Sequence, residues 1–194
     1  SLGARHFSFL TGLLDQGVVD WVEAREVLLR DLRPLMMDPA RALTIEPVIE
    51  ALSELDGVKV PQCLEHGDFA PWNIRTQPNG DLFVIDWEHA RCDGIPWMDA
   101  LHFAFQTAAL VDRKRGNALL AVLASVFDDG AAADYRAQCQ FSEAMRVPLI
   151  RLYLLRALAV GVSEGAAPED GLQALRLGAL CDLHDSDTPL KVGA

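Results

Sequence analysis

Residues 64–90 read LEHGDFAPWNIRTQPNGDLFVIDWEHA, and no other stretch constrains the fold of this chain as tightly. Two His, three Asp, two Glu and two Asn are packed among short apolar runs such as Leu82-Phe83-Val84-Ile85. Pro61 and Pro71 oppose helix around them and bias the preceding residue toward extended backbone. Asn79-Gly80 lies between two apolar runs and supplies the positive φ angles of a tight turn. Residues 73–76 and 82–86 are therefore predicted to pair as a β-hairpin, with Asp86 at the end of its second strand.

The rest of the chain carries helical spacing. Val18, Val19, Val22, Leu28, Leu29, Leu32 and Leu35 recur at near-helical intervals with charges between them, which predicts helix over 18–35. A second helix is expected from Thr44 to Leu55, ended by Asp56-Gly57. After Pro96, helices are predicted over 97–109, 114–127, 131–143, 146–162 and 169–183. There is no internal repeat and no low-complexity linker, so residues 1–194 are expected to form one unit of α+β class, mostly helical. Its polar loop and hairpin would occupy 64–90, followed by a helical region over 97–183.

Composition excludes several classes of function. A net charge of −11 with 17 basic residues argues against nucleic acid as the main partner, because phosphate binding needs clustered Lys and Arg. That balance leans toward a cationic substrate or a divalent metal. No apolar run is long enough to span a membrane, and residues 1–20 lack the pattern of a signal peptide. Cys63, Cys92, Cys139 and Cys181 contain no C-x-x-C pair, which predicts thiols in a reducing cytoplasm rather than disulfides or a zinc site.

The motif at the centre is His66-Gly67-Asp68, four residues, Asn73, then an apolar strand ending at Asp86, 13 residues after Asn73. The first part matches the H-x-D-x-x-x-x-N catalytic loop of protein kinases. With the following strand, "HGDFAPWN" and "VIDWEHA" resemble the aminoglycoside phosphotransferase and choline kinase-like family. "GIPWMDALHF" is similar to that family's G-x-P-x-x-D segment. The resemblance covers residues 66–99 and implies a protein-kinase-like fold. It implies that Asp68 orients an acceptor hydroxyl and takes its proton, and that Asn73 and Asp86 hold Mg²⁺ against the phosphates of ATP. Asp99 would steady the catalytic region, and His66 would pack beneath the loop. Glu88 would assist the metal through water or cap the next segment.

Plainer readings stand beside these. Asp68 and Asn73 suit turns, and Asp86 could pair with an arginine. Trp72 and Trp87 are expected in the core or in a wall rather than on substrate. His89 and Arg91 lie near enough to touch substrate, or sit on the surface. His102, Phe103 and Phe105 fall at helical spacing and are expected to be core.

The chain has no G-x-G-x-x-G and only three lysines, Lys59, Lys114 and Lys191. A full kinase of this kind carries a glycine-rich loop and a phosphate-pairing Lys on an N-terminal lobe. The expectation is therefore the C-terminal lobe alone, with the nucleotide lobe absent and the isolated chain inactive. The implied function is an ATP-dependent, cytoplasmic phosphotransferase acting on a small-molecule hydroxyl. Two alternatives are a non-catalytic pseudokinase-like or partner-binding domain, and a metal-dependent hydrolase using Asp68, Asp86 and Glu88.

Overall fold

The computed structural model describes residues 2–37, 39–167 and 170–187. Helix α1 (Ala4–Thr11) leads into strand β1 (Leu14–Asp20), helices α2 (Trp21–Asp31), α3 (Arg33–Met36) and α4 (Pro39–Ala51), and strand β2 (Lys59–Glu65). The hairpin strands β3 (Ile74–Thr76) and β4 (Leu82–Val84) and strand β5 (Arg91–Gly94) follow. Helices α5 (Met98–Gln106), α6 (Gly116–Ser125), α7 (Ala133–Gln138), α8 (Arg146–Ser163) and α9 (Gly171–Asp187) complete the described chain. The class is α+β: mostly helix, with a three-stranded antiparallel sheet in the order β1-β2-β5 and a separate β3-β4 hairpin.

The hairpin forms where Asn79-Gly80 predicts it. Gly80 has φ +88, and Ile74, Arg75 and Thr76 face Val84, Phe83 and Leu82 across the pair. The helix expected over 18–35 instead begins at Trp21. Val18, Val19 and Asp20 are extended because β2 offers them partners at Pro61, Val60 and Lys59, and β-branched Val18 and Val19 suit that pleated setting. Asp20 ends the strand and starts the helix, its Oδ1 accepting the Val22 amide at 3.0 Å. A register shift between Leu14 and Val18 lies near Pro61, which has no amide to donate to the ladder. Strand β5 has no counterpart in the sequence expectation.

The helix expected over 131–143 is shorter, because Gln140 adopts φ +51 and reverses the chain after α7. That reversal lets Phe141 stack on Phe127 at 4.9 Å and approach Trp97 at 5.4 Å. The helix expected over 97–109 ends earlier and continues as a π turn over 107–111, where Thr107 Oγ1 donates to the Phe103 carbonyl at 2.8 Å.

Helix α8 is apolar around most of its circumference, so it has to be buried on most sides. Leu149, Leu152, Leu154, Leu155 and Leu158 are buried in contact with neighbouring helices, and α3, α5, α6 and α9 pack around α8. Each such leucine contributes about 1.5–3 kcal/mol of transfer free energy. At the α8–α9 contact, Gln173 reaches past Gly161 to donate to the Leu158 carbonyl at 3.0 Å. A Cβ on Gly161 would lie 2.1 Å from Gln173 Nε2, so a larger residue there would displace Gln173 from its bond to Leu158. Among the described residues, no helix is long and apolar enough to cross a membrane.

Candidate active site

Strand β2 is the middle strand of its sheet, and the chain leaves it at His66, Gly67 and Asp68. Two buried side chains fix this exit. Asp99, in the first turn of α5, accepts the His66 amide on Oδ2 at 2.7 Å and the Gly67 amide on Oδ1 at 3.0 Å. Gly67 has φ +84, and a Cβ there would lie 2.5 Å from the His89 carbonyl oxygen, so the loop needs glycine at this point. Burial pushes the Asp99 carboxyl up to about 7, with Glu65 acting in the same direction and the two amides and Arg156 opposing. The corner before α5 is held by Trp97, which has φ +81, lies 4.7 Å from Phe127, and donates its amide to the Tyr135 hydroxyl at 3.2 Å.

His66 is fully buried. Its Nδ1 accepts the Asp68 amide at 3.2 Å, so the ring proton sits on Nε2, which donates to the Ile85 carbonyl at 2.9 Å. Burial lowers its pKa; the Ile85 carbonyl and the carboxylates of Asp68 and Asp86 act against that shift. A neutral ring with both nitrogens engaged is not an acid or a base here. It joins the loop to the residue that precedes Asp86.

Asp68 is held from two sides. His102 Nε2 lies 2.9 Å from Oδ1, and Asn73 Nδ2 donates to Oδ2 at 2.8 Å. These bonds keep its pKa below the usual carboxylate range, the His102 bond contributing most, while burial opposes them. Asn73 is buried, and its Nδ2 also donates to the Asp68 carbonyl at 3.0 Å. An amide faced by two acceptors must present nitrogen to both, which leaves the Asn73 carboxamide oxygen as the group able to meet a cation. The Asn73 carbonyl accepts the Ile85 amide at 3.0 Å, so the hairpin sets Asp86 one residue beyond Asn73 in register. Asp86 is exposed, adopts φ +69, and pairs with no arginine among the described residues. A non-glycine residue in that region is held there by its surroundings, and aspartate tolerates it better than most.

Glu88 lies 3.6 Å from His89 Nε2, and the same nitrogen is 3.7 Å from Glu164. Trp87 donates its indole N–H to the Val84 carbonyl at 2.9 Å and lies 4.6 Å from the His66 ring. Trp72, expected in core or wall, is 44 % exposed and is not core, because the short turn at Pro71–Asn73 buries Asn73 instead. Among the described residues, no group of three His, Cys, Asp or Glu side chains converges on a metal-sized site. The Asn73 and Asp86 oxygens suit an ion that keeps several waters and takes its remaining ligands from substrate phosphates, as Mg²⁺ does.

Beside Asp68 opens a cavity of about 540 Å³, within the range of small-molecule sites. Asp68, His102 and Gln106 line one side; Tyr153 and Arg156 of α8 and Arg176 of α9 line the other. Asn73 and Asp86 do not line it; Asp68 does, and it is bonded on its other oxygen to Asn73. Glu65, buried at the end of β2, takes a bidentate pair of bonds from Arg156 at 2.8 Å each, tying the sheet to α8. Arg91 bonds Asp93 at 2.7 Å and 3.0 Å and Asp31 at 3.3 Å, and lines the cavity as well.

His102, expected in the core, is instead a polar group of the site. Helical spacing alone hid it, since Phe103 and Phe105 on the same helix are indeed buried. The signal was the polar stripe Asp99, His102 and Gln106, at i, i+3 and i+7 on one face. Tyr153 and Arg156 on α8, and Gln173 and Arg176 on α9, share the same i, i+3 spacing, so each helix carried a short polar stripe of the same kind.

The family model described as "Phosphotransferase enzyme family" matches residues 5–137. That span is well over half of the chain and includes every loop and hairpin residue discussed here, but not α8 or α9. No curated protein and no solved structure matches the chain.

Proposed function

Since the chain belongs to the phosphotransferase enzyme family, we propose that it transfers the terminal phosphoryl group of ATP to a hydroxyl of a small molecule held in the cavity beside Asp68. The observation that carries this reading is Asp68 itself. It is an ionised carboxylate at the cavity wall, fixed by His102 and by Asn73, whose carboxamide oxygen is left for a cation.

Asp68 accepts a hydrogen bond from the acceptor hydroxyl and directs its oxygen toward the phosphorus. As the new P–O bond forms and the bond to the leaving diphosphate breaks, the hydroxyl proton passes to Asp68. A carboxylate held below its usual pKa is a weak base, and a loose transition state asks more of orientation than of early deprotonation. Asn73, through its carboxamide oxygen, and Asp86, through its carboxylate, would hold Mg²⁺. That ion, when bound, neutralises charge developing on the phosphates. His66 keeps these two roles at a fixed spacing through its bonds to the Asp68 amide and the Ile85 carbonyl. The cavity presents Arg176 and Arg156 together with Glu65, so its walls offer both signs of charge to a polar acceptor. A cytoplasmic setting, where ATP is abundant, is part of the proposal.

The test is an assay of ADP release with Mg²⁺–ATP over a panel of amino sugars, amino alcohols, sugars and nucleosides, with and without chelator. The expected outcome is acceptor-dependent, chelator-sensitive turnover in the protein as its gene encodes it. Acceptor-dependent turnover that persists in excess chelator would remove Asn73 and Asp86 from their proposed role.

A further inference from the structure

His102 reaches Asp68 from a different part of the fold than Asn73 does. Asn73 sits in the turn that follows the catalytic loop, whereas His102 sits one helical turn after Asp99 on α5. The two donors take different oxygens of one carboxylate, Oδ1 at 2.9 Å and Oδ2 at 2.8 Å. A carboxylate bonded on one oxygen can still rotate about its last torsion; one bonded on both oxygens, from separate elements, cannot. One lone pair on each oxygen is then committed, and the remaining ones are left for an acceptor hydroxyl.

The surroundings of His102 fit this role better than that of a packing residue. Its ring lies edge-on to Tyr153 with centroids 6.0 Å apart, its side chain is 12 % exposed, and it lines the cavity. Gln106 Nε2 stands 3.1 Å from the same ring nitrogen. One nitrogen cannot donate to a carboxylate and accept from an amide at once, so Asp68 and Gln106 compete for it. The charge-assisted bond to ionised Asp68 is the stronger of the two.

We propose that His102 is a positioning residue for phosphoryl transfer: by holding Oδ1 of Asp68 it sets the direction in which the carboxylate meets the acceptor hydroxyl. The proposal rests on the phosphotransferase reading and adds to it a residue that acts through Asp68 rather than on substrate. It distinguishes α5 from a simple scaffold, because the same helix fixes the loop backbone through Asp99 and the loop side chain through His102.

Two measurements test it. In steady-state assays, His102→Leu lowers kcat by roughly 10–10²-fold, the cost of a misdirected catalytic group, with little change in acceptor KM. His102→Gln, which keeps an N–H at similar reach, recovers at least a large part of that loss. A loss confined to KM, or equal losses in His102→Leu and His102→Gln, would overturn the positioning role. The second measurement needs no turnover: ¹H–¹⁵N spectra of the histidine rings in wild type and in Asp68→Asn. The His102 Nε2–H resonance is expected to be protected from exchange and to shift markedly in Asp68→Asn. An unchanged resonance would overturn the pairing even if the protein phosphorylates its acceptor. A shifted resonance in a protein that phosphorylates nothing would leave the pairing standing and refute the phosphotransferase reading instead.

Discussion

On the loop side of the cavity, the groups of the loop itself answer one another, and Gln106 Oε1 on α5 is the exception beside them. Asp99 takes two amides, His66 an amide and a carbonyl, and Asp68 a histidine and an asparagine. On the opposite side, α8 and α9 present polar groups that are not fully answered. The Tyr153 hydroxyl and Arg176 Nε are buried with no hydrogen bond of normal geometry among the described residues, although the Arg176 guanidinium is near enough to oppose the rise that burial imposes on the Tyr153 pKa, and Arg176 Nη1 bonds Ala157 and Gln173. Arg176 also lies over the Phe105 ring at 5.5 Å. Buried polar groups are usually satisfied by protein, water or an ion, so the Tyr153 hydroxyl and Arg176 Nε leave bonding capacity at the cavity wall. The loop side is thus built for fixed geometry and the helical side for accommodation. The family match divides the molecule in the same place, covering the first side and stopping before the second.

The largest expected effect tests the fixed side. Asp68→Ala should lower kcat by roughly 10²–10⁴-fold, the range for removing a positioned base, with a smaller fall in the urea midpoint from the lost bonds to His102 and Asn73. Retained turnover would show that the fixed geometry serves something other than catalysis. Next comes the bidentate pair that ties the two sides together. Arg156→Met strands buried Glu65 and should cost roughly 3–5 kcal/mol in urea unfolding, most of which Glu65→Gln combined with Arg156→Met restores. A double variant as unstable as the single one would mean that α8 depends on Arg156 for packing rather than for its charge.

Asp99→Ala leaves the His66 and Gly67 amides without an acceptor and should cost about 2–6 kcal/mol, at about 1–3 kcal/mol for each unmet group. Tyr153→Phe belongs to the accommodating side and should do the opposite. Removing an unanswered buried hydroxyl is expected to leave stability unchanged or raise it by up to about 1 kcal/mol, while raising acceptor KM. If Tyr153→Phe destabilises as Asp99→Ala does, the contrast between the two sides disappears. The smallest effect concerns acid. The folded pKa of Asp68 is depressed, so the stability it contributes is present above its unfolded pKa of about 4 and is lost as pH falls through the folded value. Wild type should therefore lose slightly more stability below about pH 4 than Asp68→Asn does, measured by urea midpoints at stepped pH.

The parts of the fold that sequence reading reached are those with a local cause. Asn79-Gly80 dictates its turn whatever surrounds it, and the apolar residues of 146–162 specify a buried helix by themselves. The parts it missed depend on distant partners. Val18 and Val19 fit a helix pattern until β2 provides a ladder, and Arg91–Gly94 becomes a strand only by pairing with the same β2. The candidate site divides likewise. His66, Asp68, Asn73, Asp86 and Asp99 stand in one ordered motif, whereas His102 is recognisable only through the stripe it shares with Asp99 and Gln106. The α8 and α9 residues of the cavity share one helix face each, but which face meets Asp68 is settled only by how the helices pack.

The His66 ring has a consequence for how such a protein diversifies. An imidazole is a rigid body of fixed width, and here it is clamped at both ends by backbone atoms, the Asp68 amide and the Ile85 carbonyl. It works as a gauge block between Asp68 and the strand that delivers Asp86. Helices α8 and α9 can then be reshaped for a new acceptor without disturbing that spacing, because the gauge is seated in the loop and the hairpin and touches neither helix through its bonds. Selection on substrate and selection on chemistry can proceed as separate problems in one small chain.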